Sequence, residues 1–195
     1  MSAASDAGAD GGQPPVVLAV DDEERVTQAF GIWLDEYEVR RATDGEEALE
    51  KLDADVDVVL LDRQMPGLSG DEVLDRIRDR DLDCRVAMVT GVDPDLAIVD
   101  MPFDDYVQKP VDAEELRATV EELLSLSRYG SDVRTLFALA SKQAALEAAK
   151  PESELADSDR YRRLVENRRA VEAELSERLA DLDPEEYERL FEAIE

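Results

Sequence analysis

From Val16 to Ser127 the chain alternates strand-length runs with amphipathic stretches, and few folds accept that alternation. VVLAV, EVRRA, VDVVLL, CRVAMVT and DYVQ are short and rich in β-branched residues, as strands are. Between the first two, EERVTQAFGIWLDE sets Val26, Phe30, Trp33 and Leu34 at three- and four-residue spacing, the period of one helix face. DGEEALEKL, GDEVLDRIRDR and DAEELRATVEELLSLS repeat that pattern. Strands separated by helices are joined by crossovers, and crossovers make neighbouring strands parallel. The prediction is an α/β domain over residues 16–127: a flavodoxin-like (βα)5 fold with a parallel five-stranded sheet of order 2-1-3-4-5. GVDPDLAIVDMPFD, before the fifth strand, is short for a full helix and predicts one or two turns.

The texture changes after Ser127. SDVRTLFALASKQAALEAA reads as a helix rich in Ala and Leu, and Pro151 stops it. DRYRRLVENRRAVEAELSERLADL is a long charged helix with Leu164, Val171, Leu175 and Leu182 on one seam. Pro184 opens a last short helix. Residues 128–195 therefore predict an all-α helical hairpin with coiled-coil character. Residues 1–15 are small, polar and Gly/Pro-rich, and read as a disordered tail.

Composition narrows the chemistry. The 50 acidic residues against 22 basic ones leave a net charge of −28, which opposes non-specific contact with nucleic-acid phosphates. Such an excess beside an ordinary apolar content points to the hydrated acidic surface of a halophile. No histidine is present, so His-based nucleophile pairs, His metal sites and phosphohistidine are excluded. Cys84, the single cysteine, lies in an apolar run and reads as core filler. No apolar run reaches transmembrane length, and the first residues lack a secretory pattern; the expected location is cytoplasmic.

The ends of the predicted strands carry the chemistry. Ligands of open parallel sheets bind outside the carboxyl ends of the strands. There the sequence puts Asp21 and Asp22 after strand one, Asp62 after strand three, Thr90 after strand four and Lys109 after strand five. Three clustered carboxylates repel one another unless a cation sits among them, and Mg²⁺ prefers oxygen ligands. A lysine and a hydroxyl beside the metal suit phosphate oxygens, and an aspartate can act as a nucleophile. Plainer roles exist for each residue: Asp21 and Asp22 as a helix cap, Asp62 as a turn residue, Thr90 as turn chemistry, Lys109 as a loop lysine, and the strand tyrosine Tyr106 as a core aromatic.

Taken in order, VDDEE, LLDRQMPGLSGDE, MVTG and DYVQKP resemble the receiver domain of two-component response regulators, over residues 16–127. The resemblance implies that Asp62 accepts a phosphoryl group from a histidine kinase on a separate chain. It implies that Asp21, Asp22 and Asp62 hold Mg²⁺ with the main-chain carbonyl of Gln64. Thr90 and Lys109 would bind the phosphoryl oxygens, and Thr90 with Tyr106 would form a switch pair. No enzymatic turnover is implied beyond the receiver's own phosphorylation and dephosphorylation. The short connection before strand five departs from the family pattern.

The stretch LASKQAALEAAKPESELADSDRYRRL resembles HalX, a helical domain appended to receivers in haloarchaeal regulators. That resemblance implies an output in transcriptional regulation, and a possible homodimer through receiver or hairpin. Alternatives are an Mg²⁺-dependent phosphohydrolase with an aspartate nucleophile, or a signalling adaptor that acts by protein contact without DNA. The hydrolase wants a second acid where Gln64 stands. DNA contact would fall to Arg160, Arg162, Arg163, Arg168 and Arg169, the one basic concentration. The competing reading pairs those arginines with Glu166, Glu172 and Glu174 on a solvated helix face.

Overall fold

The structure is a computed structural model that describes residues 13–80, 82–126 and 130–180, the last three by backbone alone. Five strands, β1 (Val16–Val20), β2 (Glu38–Ala42), β3 (Val56–Leu61), β4 (Arg85–Thr90) and β5 (Asp105–Gln108), form one sheet. Their order is β2-β1-β3-β4-β5 and every pairing is parallel, as the alternation predicts. Helices α1 (Glu24–Trp33), α2 (Gly45–Lys51), α3 (Gly70–Asp79) and α4 (Ala113–Leu126) make the crossovers and close the last strand.

Side chains along a strand point alternately to opposite faces. Val17, Ala19, Val58, Leu60, Ala87 and Val89 therefore share one apolar cluster with Phe30 and Leu34 of α1 and with Leu116, Val120 and Leu123 of α4. Leu18, Val20, Val59, Leu61, Val86 and Met88 face the other way, onto α2 and α3. The β1–β3 register shifts at its start, where the Asp57 carboxylate accepts the Val16 N–H at 2.8 Å.

The β4–β5 crossover holds only a five-residue 3₁₀ turn, Leu96–Asp100, in line with the short connection. The space beside it is taken by the C-terminal segment. Helices α5 (Ser131–Ala149), α6 (Glu152–Ala156) and α7 (Asp159–Ala180) follow the sheet. Leu146, Leu155 and Leu164, one from each, are buried in the same cluster as Ile98, Phe103 and Tyr106. The expected simple hairpin is thus modified in two ways. The connection after Pro151 contains the short α6, and the hairpin packs into the sheet's own core instead of standing apart. On the predicted seam Leu164 is buried, while Val171 and Leu175 are half-buried. Leu182, the helix expected from Pro184 and the predicted N-terminal tail up to Gly12 lie outside the described residues. No helix among the described residues is long and apolar enough to cross a membrane.

Candidate functional site

A central strand of a parallel sheet is covered on both faces, which is why β3 reads as an unbroken apolar run. It ends on Asp62 because the chain there leaves the core for the sheet's carboxyl edge. Asp62 remains 6 % exposed, and Asp21 and Thr90, at the ends of the flanking strands, are each 1 % exposed. Main-chain bonds fix these ends: the Asp62 N–H donates to Val20 O (2.9 Å), and the Lys109 N–H donates to Thr90 O (2.8 Å).

Lys109 joins the acids. Its ammonium donates to Asp21 Oδ2 at 2.5 Å and to Asp62 Oδ1 at 2.9 Å. The remaining oxygens take main-chain donors, Gln64 N–H on Asp62 Oδ2 (2.8 Å) and Glu23 N–H on Asp21 Oδ1 (2.9 Å). Burial pushes the Asp21 carboxyl above its usual range although Lys109 opposes this. Burial also works against the Lys109 charge, but the hydrogen bonds to Asp21 and Asp62 outweigh it and hold the ammonium protonated.

Two glycines shape the loop after Asp62. Gly67 has a positive φ of 79°, which L side chains resist. A Cβ on Gly70 would stand 2.1 Å from the Asp62 carbonyl oxygen, so only glycine lets α3 start against the acid's own backbone. Ser69 caps α3 in a reciprocal box with Glu72.

Of the predicted residues, the fold gathers Asp21, Asp62, Lys109 and Thr90 at one edge. Asp22 is brought to the same edge but points into solvent, lining an open cleft of about 590 Å³ with Gln64, Met65 and Arg63. Among the described residues no three acidic side chains converge tightly enough to hold a metal ion. The donors themselves are hard carboxylate and carbonyl oxygens, the chemistry Mg²⁺ takes. The residues present thus fit the ion in kind, and Asp22 would have to turn inward to join them. Tyr106 is buried against Phe103, and its hydroxyl donates to Val92 O at 2.7 Å. The Thr90 hydroxyl accepts the Val92 N–H at 3.3 Å, so both members of the predicted pair meet the chain at Val92.

Comparison with known proteins agrees with this geometry. Residues 17–121 match the response regulator receiver domain, over half of the chain. The chain belongs to the response regulator receiver family. Residues 125–191 match the HalX domain. A "Putative transcriptional regulator" of Haloferax volcanii is 51% identical over 86% of this chain and 30% of its own length. The sensory transduction protein RegX3 of Mycobacterium tuberculosis is 39% identical over 60% of this chain and 52% of its own length. The chain thus spans only 30% of the first of these relatives and 52% of the second. The response regulator TrrA of Thermotoga maritima, solved in complex with Mg²⁺-BeF, is 36% identical. It superposes with a TM-score of 0.50 over 56% of this chain and 99% of its own.

Three residues of this receiver and its tail were not legible from the motifs. Arg63, next to the acid, is nearly buried and pairs with Asp71 at 3.0 Å and with Asp95 at 3.7 Å, tying the Asp62 loop to the 3₁₀ turn. Asp105 and Ser141 meet across the receiver–tail boundary at 2.5 Å. An arginine directly after the strand-ending acid is the one signal the sequence offered. The basic cluster is largely occupied. Arg160 lies 3.6 Å from Asp100, Arg162 pairs with Asp159 at 2.6 Å, and Arg168 reaches Gln143 at 2.8 Å and Glu172 at 3.1 Å.

Proposed function

We propose that this chain is the response regulator of a two-component phosphorelay, phosphorylated on Asp62 and acting through its helical segment in transcriptional regulation. The observation that carries the reading is the Lys109 ammonium held between the buried carboxylates of Asp21 and Asp62 at the carboxyl edge of the sheet. An Asp62 oxygen attacks the phosphorus of a phosphohistidine on a separate kinase, since this chain has no histidine. A P–O bond forms, the P–N bond breaks, and the leaving imidazole takes up a proton from water. Lys109 supplies positive charge beside the incoming phosphoryl oxygens, and the Thr90 hydroxyl lies at the same edge to donate to one of them. Mg²⁺, held by Asp21, Asp22, Asp62 and the Gln64 carbonyl, would neutralise the remaining phosphoryl charge. The domains assigned are residues 16–127 for the receiver and 128–195 for the output segment.

The test is intact mass after incubation with acetyl phosphate and Mg²⁺ in high salt, for wild type and Asp62→Asn. The expected result is one phosphoryl group on the wild type and none on the variant. Equal labelling of both proteins would put the acceptor elsewhere. No labelling by acetyl phosphate or by any histidine kinase of the same cell would remove the reading.

A further inference from the structure

The contact between β5 and α5 joins the switch strand to the tail. β5 is the edge strand of the sheet, and an edge strand presents main-chain groups that no neighbour satisfies. The Tyr106 N–H is satisfied by two side chains, one on β5 itself and one on α5. It donates to Ser141 Oγ at 3.2 Å and to Asp105 Oδ1 at 2.8 Å. The Ser141 hydroxyl in turn donates to Asp105 Oδ1 at 2.5 Å, closing a three-membered clasp between strand and helix. Burial raises the Asp105 carboxyl above its usual range, with Ser141 and the Tyr106 N–H opposing.

Neighbouring contacts hold the same helix. The Lys142 ammonium donates to Met101 O at 2.5 Å and lies 5.0 Å above the Phe103 ring. Leu146, one turn on, is fully buried beside Ile98 and Tyr106. The opposite end of the Tyr106 side chain reaches Val92, two residues from Thr90. A continuous set of contacts therefore runs from the aspartate pocket through Thr90, Val92 and Tyr106 to Ser141.

We infer that α5 is the closing layer of the receiver's own β4–β5 edge, and that Ser141 is the positioning residue through which the Asp62 pocket and the helical segment bias each other. The inference rests on the phosphorelay reading. A change at Thr90 that moves the Val92 loop changes the seat of the Tyr106 ring, and the Tyr106 main chain is the group that Ser141 holds. Coupling of this kind is reciprocal: whatever phosphorylation does to the docking of α5, the docking does to the phosphorylated state.

The experiment is amide hydrogen exchange of peptides covering Ser131–Ala149, in the full chain, before and after acetyl phosphate with Mg²⁺ in high salt. Intact mass is read on the same samples. Phosphorylated wild type is expected to change its exchange in α5 by about fivefold or more, the lower end of common coupling strengths. Ser141→Ala, labelled to the same extent at Asp62, should lose that response, and Ser141→Thr, which keeps the hydroxyl, should recover it. Asp105→Ala, which removes the shared acceptor, tests the other end of the clasp and should change the response in the same direction as Ser141→Ala. A labelled wild type with unchanged α5 exchange overturns the inference and leaves the phosphorelay reading standing. So does an undiminished response in Ser141→Ala. Loss in both the Ala and the Thr variant would assign the effect to packing and remove the role of the hydroxyl. An unlabelled wild type would instead sink the phosphorelay reading itself.

Discussion

The Nζ of Lys109 stands 2.9 Å from Oδ1 of Asp62, and it reaches there from the far end of β5 across the intervening β4. It is also the ammonium that Asp21 shares. Both acids are almost wholly buried, so this shared cation offsets much of the cost of placing two carboxylates side by side there. Lys109→Met should therefore destabilise the protein by about 3 kcal/mol, the scale set by removing one partner of a buried pair. Added Mg²⁺ should restore part of the loss, because it brings positive charge back to the same carboxylates. Thermal unfolding with and without Mg²⁺ checks both parts. An unchanged melting temperature would mean that the Lys109 ammonium contributes no net stabilisation beside the two aspartates.

Gly70 and Gly67 sit three residues apart in one loop and should respond differently. A Cβ at Gly70 would meet the Asp62 carbonyl at 2.1 Å and the Arg63 Cα at 2.8 Å, both main-chain atoms that cannot turn aside. Gly70→Ala should cost about 2 to 3 kcal/mol, as overpacking does, and should also displace Asp62 and slow its labelling. Gly67 has open space around its Cβ position but a φ of +79°, so Gly67→Ala should cost about 1 kcal/mol through backbone strain alone. Its labelling rate should stay near wild type. Urea unfolding and acetyl phosphate uptake on both variants separate the two effects.

Much of this was readable before any coordinates. The strands were legible because Val and Leu fill both phases of a buried strand, and the edge of the sheet was legible because Asp21, Asp62, Thr90 and Lys109 each follow one. What sequence could not give was reach. Nothing local to Lys109 says that its side chain crosses to Asp21, or that Asp22, adjacent in sequence, turns to solvent while Asp21 is buried. The tail was hidden for a related reason. Ala-rich α5 has no single apolar stripe to read, and two of its inward residues, Ser141 and Lys142, are polar. Lys142 would ordinarily be assigned to solvent, yet it is 7 % exposed with its ammonium on Met101 O. Burial lowers its pKa.

The carboxyls of Asp105 and Glu122 give a pH signature. Burial raises both, and for Asp105 the neighbouring Asp104 adds to it. A carboxyl whose folded pKa lies above its unfolded value takes up a proton on folding. Its favourable contribution is full below the ordinary carboxylate range, about pH 4, and is lost as pH rises through the raised folded value. Asp105→Asn removes that ionisation and keeps an oxygen that accepts from Ser141 and the Tyr106 N–H. The stability of the variant relative to wild type should therefore rise between pH 4 and pH 7. Urea midpoints across that range test it. A difference that stays flat would mean that Asp105 ionises as freely in the folded protein as in the unfolded one.

Leu146 and Trp33 offer a sharper test of how many units the chain folds as. Leu146 belongs to α5 and is fully buried in the cluster beneath α2 and α3. Trp33, the single tryptophan, ends α1 on the opposite face of the sheet and packs at 5.9 Å from Phe30. The two residues belong to clusters on opposite faces of the sheet, and only the first turns of α5, at Val133 and Phe137, reach the cluster beside Trp33. If the helical segment were an independent domain, a cavity at Leu146 would weaken that domain alone and leave tryptophan fluorescence unmoved. The burial of Leu146, Leu155 and Leu164 with Ile98, Phe103 and Tyr106 argues for one cooperative unit. Leu146→Ala should then lower the urea midpoint read at Trp33 by an amount equivalent to about 3 kcal/mol, the usual cost of such a cavity. Circular dichroism, dominated by the helices, should follow the same curve as the fluorescence. Two separated transitions, with the tryptophan transition at its wild-type midpoint, would show instead that the sheet holds its fold without the helices packed against its β5 edge.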